Sequence, residues 1–321
     1  MRDIYPWLLP LLHKWQALSE THRVSGAMLC SAPQGSGIER LAEWFVHTLV
    51  CSHSTSEPCG FCHSCELAKS GNHPDIHWIS PEKEGKSITV DQIRACNQWA
   101  VESSQLAGKR VIIITPADAM NESASNALLK TLESPAKNCV FLLLANNNHK
   151  LLPTIISRCQ KWTIAESNLE ETYQWLLTQT TKPCNYVGIR LSNGAPLKAL
   201  EFFEQKTYVD FQKVESTLQS FLSSEGASYN PVWLSIKDNP VGRLSWLAII
   251  MSDIQKVHFG CSELGMCEKS AELAERVPYS AAYKAMLSIN KMKDQLESFS
   301  GLNTELLLIN WLIDLQEDVC L

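Results

Sequence analysis

The stretch Ser31-Ala32-Pro33-Gln34-Gly35-Ser36-Gly37-Ile38-Glu39 has the outline of a phosphate-binding loop, but Ile38 and Glu39 stand where such a loop carries its Lys and its Ser or Thr. In a working loop the backbone N–H groups cradle the phosphates, the Lys neutralises the β and γ oxygens, and the hydroxyl holds Mg²⁺. Here the cradle is available and the charge is reversed. A carboxylate at position 39 repels a triphosphate at close range. Upstream, Ala27-Met28-Leu29-Cys30 is a short apolar run; downstream, Leu41, Trp44, Phe45, Thr48 and Leu49 recur at helical spacing. Strand, loop and helix in that order open a nucleotide-binding fold.

Two further runs, Arg110-Val111-Ile112-Ile113-Ile114-Thr115 and Val140 to Ala145, are apolar and nearly continuous, as strands buried on both faces of a parallel sheet must be. Between them Ala124, Ala127, Leu128 and Leu132 share one helical face, and Pro135 follows where that helix should stop. Ile4, Trp7, Leu8, Leu11, Leu12 and Trp15 predict an amphipathic helix at the start of the chain. Alternating strands and helices imply a right-handed α/β layer structure. Beyond about Ile164 the strand signals cease. Leu169 to Gln179 predicts a helix, a turn at 191–196 leads into another, and 208–321 is helical almost throughout, with apolar stripes that include Trp246, Leu247, Ile250 and Ile254, then Leu306, Leu307, Trp311 and Leu312. The expected organisation is an α/β domain at 1–165, a small helical domain at 166–207 and a helical C-terminal domain at 208–321.

With 321 residues, 45% hydrophobic and 19% charged, the chain can bury ordinary cores in two or three domains. A net charge of −6 does not draw in a polyanion, so nucleic acid is not expected to be held by this chain alone. No apolar run reaches the roughly 20 residues needed to span a bilayer, and the first residues lack a signal-peptide core, so a cytoplasmic location is expected. Eight of the 12 cysteines are scattered singly, as small buried apolar residues in a reducing compartment would be.

The other four, Cys51, Cys59, Cys62 and Cys65, form Cys-x7-Cys-x2-Cys-x2-Cys, with Gly60 placed for a tight turn. Zn²⁺ takes four ligands in a tetrahedron, and Cys-x2-Cys lets one turn present two thiolates to one ion. A four-cysteine set with no spare position predicts a structural zinc module at about 51–65. Two disulfides, four unrelated thiols and an iron–sulfur cluster are the other readings. His53, His63 and His73 lie near enough to compete as ligands, though each is expected to be a solvated loop histidine.

Taken together, the loop without its Lys, the four-cysteine insertion after the first helix of the fold, Asn126-Ala127-Leu128-Leu129-Lys130-Thr131-Leu132-Glu133 with Pro135, and Ser157-Arg158-Cys159 resemble the delta-prime subunits of the bacterial DNA polymerase III clamp loader. The resemblance is specific over roughly residues 20–165. It implies an AAA+ (RecA-like) parallel-sheet domain carrying the zinc module, a helical lid and an all-α collar that joins subunits in a ring. In AAA+ ATPases the end of a core strand supplies acidic residues for Mg²⁺ and for water; here Thr115 and Pro116 stand there, and Asp118 is expected to act as a helix cap instead. The resemblance therefore implies no ATP in this chain's own site (Gly35, Ser36, Gly37, Ile38, Glu39) and no ATPase activity of the isolated chain. It also implies that Arg158 is an arginine finger, touching ATP bound to a neighbouring subunit, where a guanidinium stabilises charge developing in phosphoryl transfer.

The resemblance also implies that Asn146 stands where an active subunit senses the γ-phosphate, here expected to be only a turn former, and Leu197 where it carries a second sensing Arg; His73-Pro74-Asp75 is similar to the tripeptide of chaperone co-factors but lacks their helical context, and the match is expected to be a coincidence. The implied partners are the clamp-loader ATPase subunits (gamma/tau), the delta subunit and, through the complex, the sliding clamp and primed DNA at the replisome, with no membrane. The chain would then serve DNA polymerase III without chemistry of its own. Two rivals remain: an ATPase borrowing its Lys from Lys109 or Lys150, and a zinc-dependent DNA-binding module, although Lys69 against Glu57 and Glu66 gives that module little basic character.

Overall fold

The computed structural model describes residues 4–320 apart from 84, 107, 165, 166, 225 and 300. Residues 1–3 of the expected leaderless start, and the expected boundary at 165–166, lie outside the described residues. The chain divides into two compact units, Met1–Glu166 and Ser167–Leu321.

In the first unit the elements run α1 (Leu9–Glu20), β1 (Ala27–Ser31), α2 (Ile38–Val50), α3 (His63–Lys69), β2 (Ile76–Ile79), α4 (Val90–Val101), β3 (Arg110–Ile114), α5 (Glu122–Glu133), β4 (Cys139–Ala145), α6 (Pro153–Ile156) and β5 (Gln160–Thr163). The strands form one parallel sheet in the order β2-β3-β4-β1-β5. Every residue of β3 and β4 is buried, which is why both were legible as unbroken apolar runs. Alternation sorts their side chains onto two faces: Met28, Cys30, Val111, Ile113, Leu142 and Leu144 pack with Leu41, Phe45 and Trp15 of α2 and α1. Leu29, Ile112, Ile114, Phe141 and Leu143 pack on the other side against Ile93 of α4, Leu128 of α5 and Ile155 of α6. Each such side chain, fully buried, contributes about 1.5–3 kcal/mol. The parallel sheet with helices on both faces agrees with the α/β sheet domain that the resemblance implies.

Three expectations need correction. β2 and β5 were missed because both are four-residue edge strands with mixed exposure, Trp78 and Thr163 being exposed, and so give no continuous apolar run. The N-terminal helix is broken in two: a 3₁₀ turn at Pro6–Leu8 precedes α1, whose second residue is Pro10, and each proline sits where a missing N–H costs nothing. Asp118 caps no α-helix. It lies in a 3₁₀ turn, Ala117–Ala119, and its carboxylate accepts the Asn146 N–H at 2.9 Å, tying the end of β4 to the chain leaving β3. α5 is capped by Asn121, whose side chain accepts from Ala124 N at 2.8 Å, and it ends at Glu133 just before Pro135, as expected. Pro135 in turn packs onto Gly26 so closely that a Cβ there would lie 2.3 Å from the ring.

The second unit contains, among the described residues, α7 (Leu169–Gln179), α8 (Tyr186–Leu191), α9 (Pro196–Glu204), α10 (Thr207–Ser223), α11 (Asn230–Ile236), α12 (Pro240–His258), α13 (Ser270–Ala274), α14 (Tyr279–Ser298) and α15 (Thr304–Cys320). One apolar cluster runs through it, from Leu176 and Phe203 to Ile250, Ile289, Trp311 and Leu315. The described residues contain no helix long and apolar enough to cross a membrane.

Candidate functional site

The vestigial loop leaves the C-terminal end of β1. Gly35 (φ 87°) and Gly37 (φ 75°) adopt the left-handed conformation that a side chain disfavours, and Ser36 N bonds back to Pro33 O at 3.0 Å. The loop thus turns tightly through two left-handed glycines before leading into α2. Its chemistry has been replaced, however. Ile38, at the Lys position, is buried in the core that α2 shares with the sheet, while Glu39 is exposed in the first turn, where a carboxylate suits the helix dipole. The Trp7 indole N–H donates to Ser36 O at 2.7 Å, so the N-terminal segment is fastened onto the loop itself.

At the opposite end of the sheet stands Arg158. Met28 pairs with Gln160 and Ser31 with Thr163, so Arg158, which precedes β5, lies roughly 10 Å or more back along the sheet from the loop. Its Nε bonds Glu133 Oε1 at 2.9 Å, its Nη2 contacts the same oxygen, and its Nη1 donates to Thr154 O at 2.9 Å. Glu133 ends α5, where the dipole disfavours a carboxylate and a neighbouring cation relieves it. Both side chains keep solvent access, 31% for Arg158 and 50% for Glu133, so the pair is worth about 0–1 kcal/mol and releases at small cost. Lys109 also precedes a strand, β3, at the end of the sheet away from the loop.

The four cysteines converge. Their sulfurs lie within 4.8 Å of one another, and Cys59 and Cys65 are 3.9 Å apart, close to the roughly 3.8 Å edge of a tetrahedron with 2.3 Å zinc–sulfur bonds. Gly60 (φ 78°) makes the turn between the second and third ligands, and Cys62 caps α3, accepting from Cys65 N at 3.4 Å. Burial opposes ionisation of Cys62, yet hydrogen bonds from the Ser52 and Cys65 backbone bring its thiol down to about 5. Burial, reinforced by side-chain hydrogen bonding with Cys62 and Cys51 and by the charge on Cys51, pushes Cys65 up to about 12. Collecting four thiolates here requires a compensating cation, and the set could hold a metal ion such as zinc. Among the described residues no histidine joins this group; His53 and His63 are exposed, and His53 packs against Phe61 at 5.5 Å.

His73 differs from the expectation of a solvated loop residue. It is 5% exposed, and Asp75 N donates to its Nδ1 at 3.1 Å, which leaves the ring proton on Nε2 and no lone pair there for a metal. The His73-Pro74-Asp75 segment therefore has a structural role. Asp75 (1% exposed) binds Arg110 (2% exposed) through Nη2 at 3.0 Å and accepts from Gln105 N and Leu106 N, both at 2.9 Å. Arg110 also donates to Trp99 O, Ser103 O and Glu102, closing a network between β2, β3 and the end of α4. In sequence Arg110 is only the first residue of an apolar strand run and Asp75 only the last of a tripeptide; the network reveals their role.

Burial works against the Asp75 carboxylate, but the Leu106 and Gln105 N–H groups and the Arg110 guanidinium outweigh it and hold it below the usual carboxylate range. Replacing Asp75 by Ala strands a buried guanidinium and should cost about 3–5 kcal/mol, read as a lower urea midpoint. Because the folded carboxyl ionises more readily than the unfolded one, this contribution is complete above about pH 4 and is lost as pH falls through the lower folded value. An acid-unfolding midpoint identical in wild type and Asp75→Ala would contradict it.

Family comparisons follow this geometry. A family model described as "DNA polymerase III, delta subunit" matches residues 10–168, and one described as "DNA polymerase III, delta subunit, C terminal" matches residues 210–317. The chain is similar to the protein named DNA polymerase III subunit delta' of Haemophilus influenzae, 31% identical over 99% of both chains. It is likewise similar to that of Escherichia coli, 30% identical over 97% of this chain and 95% of the other. A solved DNA polymerase III gamma subunit-related protein of Thermotoga maritima aligns over 95% of this chain and 99% of its own at 17% identity, with a TM-score of 0.42.

Proposed function

We propose, because this chain belongs to the DNA polymerase III delta' subunit family, that it is a non-hydrolysing member of a clamp loader that supplies Arg158 to the ATP site of an adjacent subunit. The observation that carries this reading is the placement of Arg158. It sits on the surface at the end of the sheet away from its own loop, held by one exposed carboxylate and one backbone carbonyl. A guanidinium so placed cannot serve a nucleotide in its own loop, but it can cross a subunit boundary and fork onto phosphate oxygens. The buried Ile38 and the exposed Glu39 support the companion reading, that this chain binds no ATP. The four cysteines hold a structural Zn²⁺, and residues 166–207 and 208–321 act as lid and collar. Gamma/tau ATPase subunits and the delta subunit are its partners. Through that cytoplasmic complex it helps to place the sliding clamp on primed DNA during replication.

The intact zinc-loaded chain tests the reading directly. In equilibrium dialysis it should retain no ATP at millimolar Mg²⁺, whereas mixing it with gamma/tau and delta subunits should give a complex that elutes as one species. Micromolar ATP binding with turnover would overturn the non-hydrolysing assignment, and failure to enter the complex would overturn the clamp-loader assignment.

A further inference from the structure

Arg158 has a counterion before it meets any phosphate. Its Nε–H donates to Glu133 Oε1 at 2.9 Å, its Nη2–H contacts the same oxygen, and its Nη1–H donates to Thr154 O at 2.9 Å. Three of its five N–H groups are therefore engaged within this chain, and the Nε–Nη2 edge is one with which a guanidinium forks onto carboxylate or phosphate. The two partners differ in kind. Thr154 lies in α6, one turn before Arg158, and its carbonyl keeps the side chain near its own helix. Glu133 ends α5, 25 residues earlier, and among the described residues it is the one acidic side chain paired with Arg158.

A carboxylate on that edge stands in for a phosphate. It carries the same sign of charge and offers the same kind of acceptor, so an incoming γ-phosphate and Glu133 compete for one cation. Given the finger role proposed above, on which this inference rests, the competition touches only one nucleotide. ATP brings a γ-phosphate to Arg158, which must leave Glu133 to fork onto it; ADP brings none, and the pair stays closed. A group that is free only part of the time lowers the apparent affinity of its ligand by the fraction of time it is free. For an exposed ion pair that fraction is roughly one-fifth or more, so Glu133 weakens ATP at the neighbouring site by up to about fivefold and leaves ADP as it is. When hydrolysis removes the γ-phosphate, Arg158 has an acceptor within its own subunit to return to.

We infer that Glu133 is a specificity-determining residue for the adjacent ATP site, opposing the triphosphate, sparing the diphosphate and taking Arg158 back after each turnover.

The clamp loader reconstituted from full-length subunits tests it, with the hydrolysis that Arg158→Ala removes taken as the signal. Glu133→Gln keeps the size of the side chain and removes its charge at an exposed position. The apparent KM for ATP should fall about threefold to fivefold, while kcat at saturating ATP and the inhibition constant for ADP stay at wild-type values. Glu133→Asp, which keeps the charge, should lie between the two. In an Arg158→Ala background Glu133→Gln should change nothing, because it acts through that guanidinium. Wild-type hydrolysis by the Arg158→Ala complex would overturn the finger reading and this inference with it. With the finger intact, an unchanged KM in Glu133→Gln, a lower kcat, or an equal shift for ADP would overturn this inference alone.

Discussion

Arg158→Ala, reconstituted into the clamp loader, is expected to leave the subunit folded and assembled while turnover at the ATP site it faces falls about a thousandfold, the lower end of what an arginine finger contributes. The two halves of that expectation have separate physical origins. In the subunit alone the guanidinium makes an exposed ion pair with Glu133 and one bond to Thr154 O, so removing it should change stability by less than about 1 kcal/mol. At the neighbouring site the same group would meet charge developing on a transferring phosphoryl group, where water is excluded and each interaction is worth more. The measurement is DNA-stimulated ATP hydrolysis and clamp loading by the reconstituted complex, alongside the thermal midpoint of the isolated subunit. Glu133→Ala makes a useful companion: by freeing Arg158 it should leave hydrolysis unchanged or raise it. Wild-type hydrolysis and loading by the Arg158→Ala complex would remove the finger from the account.

Removing the metal is expected to have the larger effect on structure. Structural Zn²⁺ contributes on the order of 10 kcal/mol to the folding of small cysteine modules at neutral pH. Here the segment between α2 and β2 has a short helix, α3, anchored to the core by Ala68, and the turn at Gly60 to hold it otherwise. Cys62→Ser separates the metal from the helix cap, because serine is itself a good N-cap and replaces the acceptor that Cys65 N uses. A loss much greater than the ~1 kcal/mol value of a cap therefore reports the metal. Elemental analysis should find one zinc per wild-type chain and a sharply reduced content in the variant, with rapid amide exchange confined to about residues 51–72. Zinc uptake by the apo-chain should also release protons, since Cys65, pushed up to about 12 without metal, must ionise to bind. Unchanged exchange and stability after the metal is stripped would make the module self-sufficient.

The sequence by itself was enough for the core of the α/β unit, the metal set and the dismantled loop. Each of these is written in local pattern: β3 and β4 are buried on both faces and so are apolar at every position, Cys-x2-Cys spacing is set by what one turn can present to one ion, and a loop without Lys is visible as a missing letter. The family was legible for the same reason. What only the tertiary structure decided depends on residues distant in the chain. The edge strands β2 and β5 are mixed in polarity and gain their identity from the neighbour they pair with. Trp7 reaches the loop across 29 residues, Asp75 meets Arg110 across 35, and the unsatisfied proton of His73 follows from one backbone N–H. Nothing in the letters around Arg158 says that it stands at the far end of the sheet from its own loop; the parallel register of β1 with β5 places it there. Local pattern determines which elements form, because propensity and burial act over a few residues, whereas the direction in which a charge faces is fixed only when those elements pack.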